Sequence, residues 1–271
     1  MRCNKHSRSF TLIELLVVIS ILGLLAAITV PAIKNFGQAD AIAAASRQLL
    51  DDIGRARQLA ISQRTTVYMI FLPPTFWDDL PYVGNKTIYQ QLRGAEVDTA
   101  ATLFDKQLNS YTFFTWRTVG DQPGRTNPRY LTGWRVLPEG TFIARWKFWP
   151  PKPFDERSVV GICTNFAPYQ LFEVKNFSTN AFPFPFAEST NRLWLPYVAF
   201  NYLGRLTSGE DEFIPIAHGS LVHARDPETK IPRQQEPEVN EKPPNNSIES
   251  FNLVHIDWLT GRAKIERPQV Q

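Results

Sequence analysis

The chain is predicted to adopt an α+β fold, one long N-terminal helix packed on an antiparallel β-sheet head with long loops. Three observations predict it. An apolar stretch and an alanine-rich amphipathic stretch follow one another, with no strand-like break, over residues 10–63. Beyond Gln63 the apolar residues change from steps of three and four to short runs rich in β-branched and aromatic side chains. Two such runs close the chain around Leu259-Thr260-Gly261-Arg262, the pattern of a β-hairpin with glycine in its turn. Helix first and strands afterwards is the order of an α+β chain rather than of alternating βαβ units.

Taken in order, residues 1–9 (MRCNKHSRS) form a short basic leader. Phe10 to Ile33 then reads FTLIELLVVISILGLLAAITVPAI, with Glu14 as its one charge. A helix of about 24 residues is about 36 Å long, enough to cross a hydrocarbon core of about 30 Å. Arg2, Lys5 and Arg8 precede it and no acid does, so the N-terminus is expected in the cytoplasm and the rest beyond the inner membrane. Those three cations account for the whole formal net charge of +3, leaving residues 10–271 formally neutral. A neutral body removes the simplest electrostatic case for a nucleic-acid partner. A carboxylate in such a segment costs about 2.5–3.5 kcal/mol even on lenient insertion scales, which makes Glu14 the first candidate functional residue.

The helix is expected to continue through residues 34–63, kinked at Pro31 and loosened at Gly37. Ile42, Ala45, Leu49, Ile53, Ala56 and Ala60 form one apolar stripe, with Arg47, Asp51, Arg55 and Gln58 opposite. The head, residues 64–271, offers strand runs at Thr65–Leu72, Ser110–Arg117, Trp134–Leu137, Thr141–Trp146, Val159–Thr164, Gln170–Val174, Tyr197–Leu203 and Ser220–Ala224. The closing pair is Leu253–Trp258 and Ala263–Glu266. Phe182-Pro183-Phe184-Pro185-Phe186 is aromatic but broken by proline, so it is excluded from the centre of a sheet. Asp226–Ser247, with five prolines among charges and amides, reads as an exposed flexible loop. Seven Trp, eight Tyr and 19 Phe are more than the strands alone hold, so loop aromatics such as Phe76, Trp77, Phe148, Trp149, Phe154 and Phe184 are expected to pack on the sheet.

The leader, Phe10-Thr11-Leu12-Ile13-Glu14-Leu15 and Pro31 together resemble the prepilin-type signal of type IV pilins and type II secretion pseudopilins. The resemblance implies that a prepilin peptidase cuts between Ser9 and Phe10 and methylates the new Phe10 amine. Ser9 stands where the family has glycine. It also implies that Glu14 sets the axial register of one subunit on the next. Physically, a cationic Phe10 amine and a neighbour's carboxylate would meet in low dielectric, where pairing offsets desolvation of both. Four scattered stretches, Leu49-x-x-x-Ile53-x-x-Ala56-Arg57, Leu137-Pro138-Glu139-Gly140, Ala199 to Arg205 and Leu259 to Arg262, are similar to the H-type minor pseudopilins.

No catalytic constellation, cofactor or metal site is expected. Cys3 belongs to the leader and leaves Cys163 alone in the processed chain, so no intramolecular disulfide is expected. His218, His223 and His255 match no zinc spacing, and Glu210-Asp211-Glu212 reads as a solvated turn. The leading expectation is a minor pseudopilin of a type II protein secretion system, in the inner membrane with a periplasmic head and assembled into a pseudopilus. Its expected partners are the peptidase, other pseudopilin or pilin subunits, inner-membrane lipid and a secreted protein, with no nucleic acid. The alternatives are a minor type IV pilin serving adhesion, motility or DNA uptake, and a membrane-tethered periplasmic binding protein or enzyme.

Overall fold

The computed structural model describes residues 12–78, 88–122, 126–148 and 174–266. The expected strands Val159–Thr164 and nearly all of Gln170–Val174 lie outside them, as do Cys163, Trp149 and Phe154. Helix α1 (Leu12–Ser62) is continuous through Pro31 and Gly37. By its contacts the chain divides into two compact units, Met1–Asp40 and Ala41–Gln271, and α1 contributes to both.

In the second unit α1 buries the stripe its periodicity predicts except at its first position, Ile42, which is half-buried. Ala45, Leu49, Ile53, Ala56 and Ala60 are fully buried, whereas Arg47, Asp51, Arg55 and Gln58 are exposed. The helix ends in a Schellman turn, with Thr65 N–H on Ala60 O (3.2 Å) and Arg64 N–H on Ile61 O (3.3 Å). Arg64 therefore sits at the left-handed position, φ +48°, where glycine is the usual occupant.

The strands form two antiparallel sheets where the sequence suggested one. The first holds β1 (Val67–Phe71), β2 (Ser110–Thr115), β3 (Arg129–Tyr130), β4 (Arg135–Val136), β6 (Ser178–Pro183) and β7 (Arg192–Phe200), ordered β3-β2-β1-β7-β6 with β4 also on β2. The second holds β5 (Thr141–Ile143), β8 (Glu212–Val222), β9 (Glu238–Glu241), β10 (Asn252–Ile256) and β11 (Ala263–Glu266), ordered β11-β10-β8-β5 with β9 on β8. Strand periodicity gives each run but not its neighbour, and that is why the division was not visible beforehand. The closing hairpin is present, Val254 opposite Ile265 and Ile256 opposite Ala263.

Both sheets contribute to one core against α1. Val67, Met69, Phe71, Tyr111, Phe113, Val198 and Phe200 face the helix from the first sheet, and Ile143, Ile214, Ile216, Leu253 and Ile256 join from the second. Successive residues of a strand point to opposite faces. Accordingly Ile70, Phe114, Phe182, Leu193 and Leu195 point away from α1 into a second core. Burial on both faces is what an uninterrupted apolar run such as VYMIF demands.

The second core is closed by residues 73–78 and 88–108, which belong to a stretch expected as loop. They fold into single turns and two short helices, α2 (Ile88–Gln91) and α3 (Ala95–Ala101). Phe76, Trp77 and Phe104 pack there with Phe184, so these loop aromatics do cover the sheet as expected. Phe148 joins the helix-side core with its ring tilted 59° against that of Phe177, centroids 5.4 Å apart. The proline-broken Phe182–Phe186 stretch supplies the end of β6, at the edge of its sheet, where a missing N–H costs no ladder bond.

Three sequence boundaries move. β7 starts at Arg192 rather than Tyr197, and β8 at Glu212 rather than Ser220, because both carry an internal proline that breaks the local pattern. Residues 226–247, read as a flexible loop, contain β9 and a helical turn, α4 (Asn246–Glu249), with Asn246 and Ser247 buried. An edge strand is held by backbone pairing to Gly219–Val222 and needs few apolar side chains of its own, so composition undercounts it.

Candidate functional site

The inner part of α1 obeys a different rule from the outer part. Leu12 to Leu25 reads LIELLVVISILGLL, and every residue in it is exposed: Leu12 84%, Ile13 70%, Leu24 67%. A helix apolar on all sides is stable only when its surroundings are apolar too. The described residues leave those side chains exposed, and an exposed apolar surface of this extent marks a contact with another protein or with lipid. Its one serine is internally satisfied, Ser20 Oγ donating to Leu16 O at 2.8 Å, as a hydroxyl in dry surroundings requires.

Glu14 is the single charged residue of this stretch and lies in the first turn of α1. The unpaired N–H groups of a helix start carry about half a positive charge, so a carboxylate there is favoured by about 0.3–1 kcal/mol. Ser9 and Phe10, the expected cleavage pair, lie outside the described residues. Pro31 lies in the helical backbone. Among the described residues no helix is long and apolar enough to cross a membrane. The expected span of 10–33 extends at both ends past the side chains that are described.

Residues 4–30 match the family model of the prokaryotic N-terminal methylation motif. The chain carries a prepilin-type signal. Such a signal indicates a precursor of the type IV pilin and pseudopilin kind, a substrate of processing. It implies processing by a prepilin peptidase, assembly with other pilin subunits and attachment to the cell envelope. No curated protein and no solved structure matches the chain.

Elsewhere the fold joins residues that the sequence leaves far apart. Three of the four stretches bearing the H-type resemblance converge at the end of α1, whereas Leu137–Gly140 does not join them, Gly140 lying beside His218. Arg57 Nε donates to Thr260 O at 2.7 Å, and Leu206 N–H bonds Trp258 O at 2.9 Å. Gly204 (φ +76°) and Gly261 (φ +62°) pass so close that a Cβ on Gly261 would fall well under 3.0 Å from Gly204 O. A Cβ on Gly204 would meet Ile61 Cδ1 at 2.7 Å. These motif residues therefore lock two turns onto the helix.

Asp52, beside the exposed Asp51, escaped the sequence reading. It is buried and accepts from Tyr111 Oη at 2.5 Å, while Arg135 Nε lies 2.8 Å from the same oxygen. Gln48 Nε2 donates to Tyr111 Oη (3.1 Å) and to Val136 O (2.9 Å), so this group ties α1 to β2 and β4. Burial, and then the bond to Asp52, pushes the Tyr111 phenol well above its ordinary pKa. The available signal was spacing: Asp52 lies three residues beyond Leu49, on the flank of the buried stripe.

The acidic trio is divided among separate partners rather than gathered. Glu210 pairs with Lys175 at 2.7 Å, Asp211 with His255 at 2.8 Å, and Glu212 with the fully buried Lys147. His218 Nδ1 lies 2.9 Å from Lys242 O and His223 Nδ1 3.3 Å from Gln107 Oε1; burial lowers the His223 pKa. Among the described residues no group of three His, Cys, Asp or Glu is placed to hold a metal.

Proposed function

We propose that the chain is a pilin-like structural subunit held in the inner membrane by Phe10–Ile33. A prepilin peptidase cuts it between Ser9 and Phe10 and methylates the new amine, and its apolar helix then carries it into a fibre. One observation carries this reading: the methylation motif covers a helix whose side chains are exposed on every face, with one acid at its start. In the membrane that surface packs against neighbouring helices by van der Waals contact, since lipid is as apolar as the side chains. In the fibre beyond the membrane its burial is worth about 25 cal/mol for each Å² kept from water. Glu14 then pairs with the Phe10 amine of the next subunit, fixing the axial register, and Pro31 relieves the helix as it leaves the membrane.

Among fibres built from such subunits, a minor place in a type II secretion pseudopilus is the finer reading. It is supported by the meeting of Arg57, Gly204 and Gly261, which gives three of the four scattered stretches one shared structural purpose. A minor type IV pilin is the neighbouring alternative. The test is intact-mass and N-terminal analysis of the membrane protein with and without the prepilin peptidase. A chain beginning at N-methylated Phe10 only when the peptidase is present supports the proposal. An intact Met1 in both strains, or a start near Ala41, overturns it.

A further inference from the structure

We infer that the groove at the end of α1 is a docking site for a carboxylate-bearing segment of another protein. The groove encloses about 610 Å³ between the last turn of the helix, the segment after β2 and the turn after β7. Most of its polar lining is already engaged. Ser62 Oγ donates to Leu59 O at 3.2 Å, Thr65 Oγ1 to Arg117 O at 3.1 Å, and Thr118 N–H and Oγ1 to Asp121 Oδ2 at 2.6 and 3.1 Å. Open to a ligand are the exposed arginines Arg64 and Arg117, the latter with one long bond from Nη2 to Gln122 O at 3.5 Å, beside the exposed Val119 and Tyr202. Gln63 Oε1 in the lining has no partner among the described residues but is buried. Among the described residues neither arginine forms an ion pair. Asp121 shares the field of Arg117, but its Oδ2 is occupied by Thr118.

The backbone gives an independent reason to assign Arg64 a use. Its φ of +48° places a bulky side chain where glycine caps a helix without strain. The chain carries an arginine there against that preference, and Arg64 lines the groove. Guanidinium forks bind carboxylates in two parallel bonds, and apolar walls beside them favour a protein segment that alternates acid and apolar residues. A nucleic acid fits less well. Two phosphate contacts confer little affinity at physiological salt, and Val119 offers nothing to a phosphate backbone.

The experiment uses the full chain in detergent micelles and a fluorescent peptide alternating Glu and Leu. Controls are its Gln-Leu counterpart and a single-stranded oligonucleotide. The expected result is saturable binding of the Glu-Leu peptide, at least tenfold weaker for Gln-Leu and for the R64G and R117Q variants. Because glycine suits the left-handed position, R64G is expected to unfold at or above the wild-type temperature, so its loss of binding is not a loss of fold. Undetectable peptide binding, equal binding of Gln-Leu, wild-type binding by R64G, or tighter binding of the oligonucleotide overturns the inference. So does occupation of the groove by a second copy, seen as self-association that R64G abolishes. None of these readouts depends on processing at Ser9.

Discussion

Substituting alanine for glycine at three left-handed positions separates backbone strain from steric closure, and Gly261 is where both act. At Gly209 (φ +74°) a Cβ would meet nothing within 4 Å, so Gly209→Ala carries only the left-handed penalty, about 1 kcal/mol. At Gly204 (φ +76°) the Cβ would meet the end of Ile61 at 2.7 Å, a side chain able to turn aside. Overpacking of that sort adds about 1 kcal/mol, for a total of about 2 kcal/mol. At Gly261 (φ +62°) the obstruction is the backbone oxygen of Gly204, with Arg57 Cδ at 3.2 Å behind it, and neither turn moves without losing the Arg57–Thr260 bond. The penalty there is about 3–4 kcal/mol, from strain, overpacking and one hydrogen bond together. For a domain of this size each kcal/mol moves the melting temperature by about 2–4 °C, so Gly261→Ala is expected to melt about 10 °C lower. Differential scanning fluorimetry of the three variants checks the order. If Gly261→Ala melts no lower than Gly209→Ala, the turns do not lock on each other and the reasoning fails.

The remaining expectations concern the helix, the buried acid and one surface turn. Asp52→Ala removes the acceptor of the Tyr111 hydroxyl and the ion-pair partner of Arg135, and is expected to cost about 2–3 kcal/mol in urea unfolding. A loss under about 0.5 kcal/mol, the scale of surface substitutions, would show that the group contributes nothing to the fold. Glu14→Ala is expected to leave the melting of the head unchanged while fibre cross-linking with neighbouring subunits falls severalfold; wild-type cross-linking would remove Glu14 from assembly. Backbone N–H groups of Thr229 and Glu228, then Arg233, hold the Asp226 carboxyl down at about 2. Because that folded value is depressed below 3.8, its support of the turn is complete above about pH 4 and is lost as pH falls through 2. Carboxyl-carbon NMR titration is expected to give a midpoint near 2, and a midpoint at the ordinary value of 3.8 would refute the hydrogen-bond account.

Much of the helix was legible because its instructions are local. The steps from Ala45 to Ala60 name the buried face directly, and the structure buries it. β1, β2 and β11 were legible for the same reason. Strands interrupted by proline were found late along their length, and β9 was missed, because an edge strand among prolines resembles a loop in composition. In the site, Glu14 was legible as a lone charge in an apolar run, whereas Asp52 was hidden by an equally acidic neighbour on the solvent side.

By itself the sequence determined the properties that depend on neighbours along the chain: the apolar run, its single carboxylate, the processing signal and the stripe on α1. Tertiary structure alone decided the division into two sheets, the second core beneath the aromatic loops, and the meeting of Arg57, Gly204 and Gly261. The physical reason is range. Helical periodicity and a charge in an apolar segment have local free-energy consequences that can be read within a few turns. Which strand pairs with which, and which buried acid finds a tyrosine 59 positions away, depends on contacts that exist only once the chain has closed on itself.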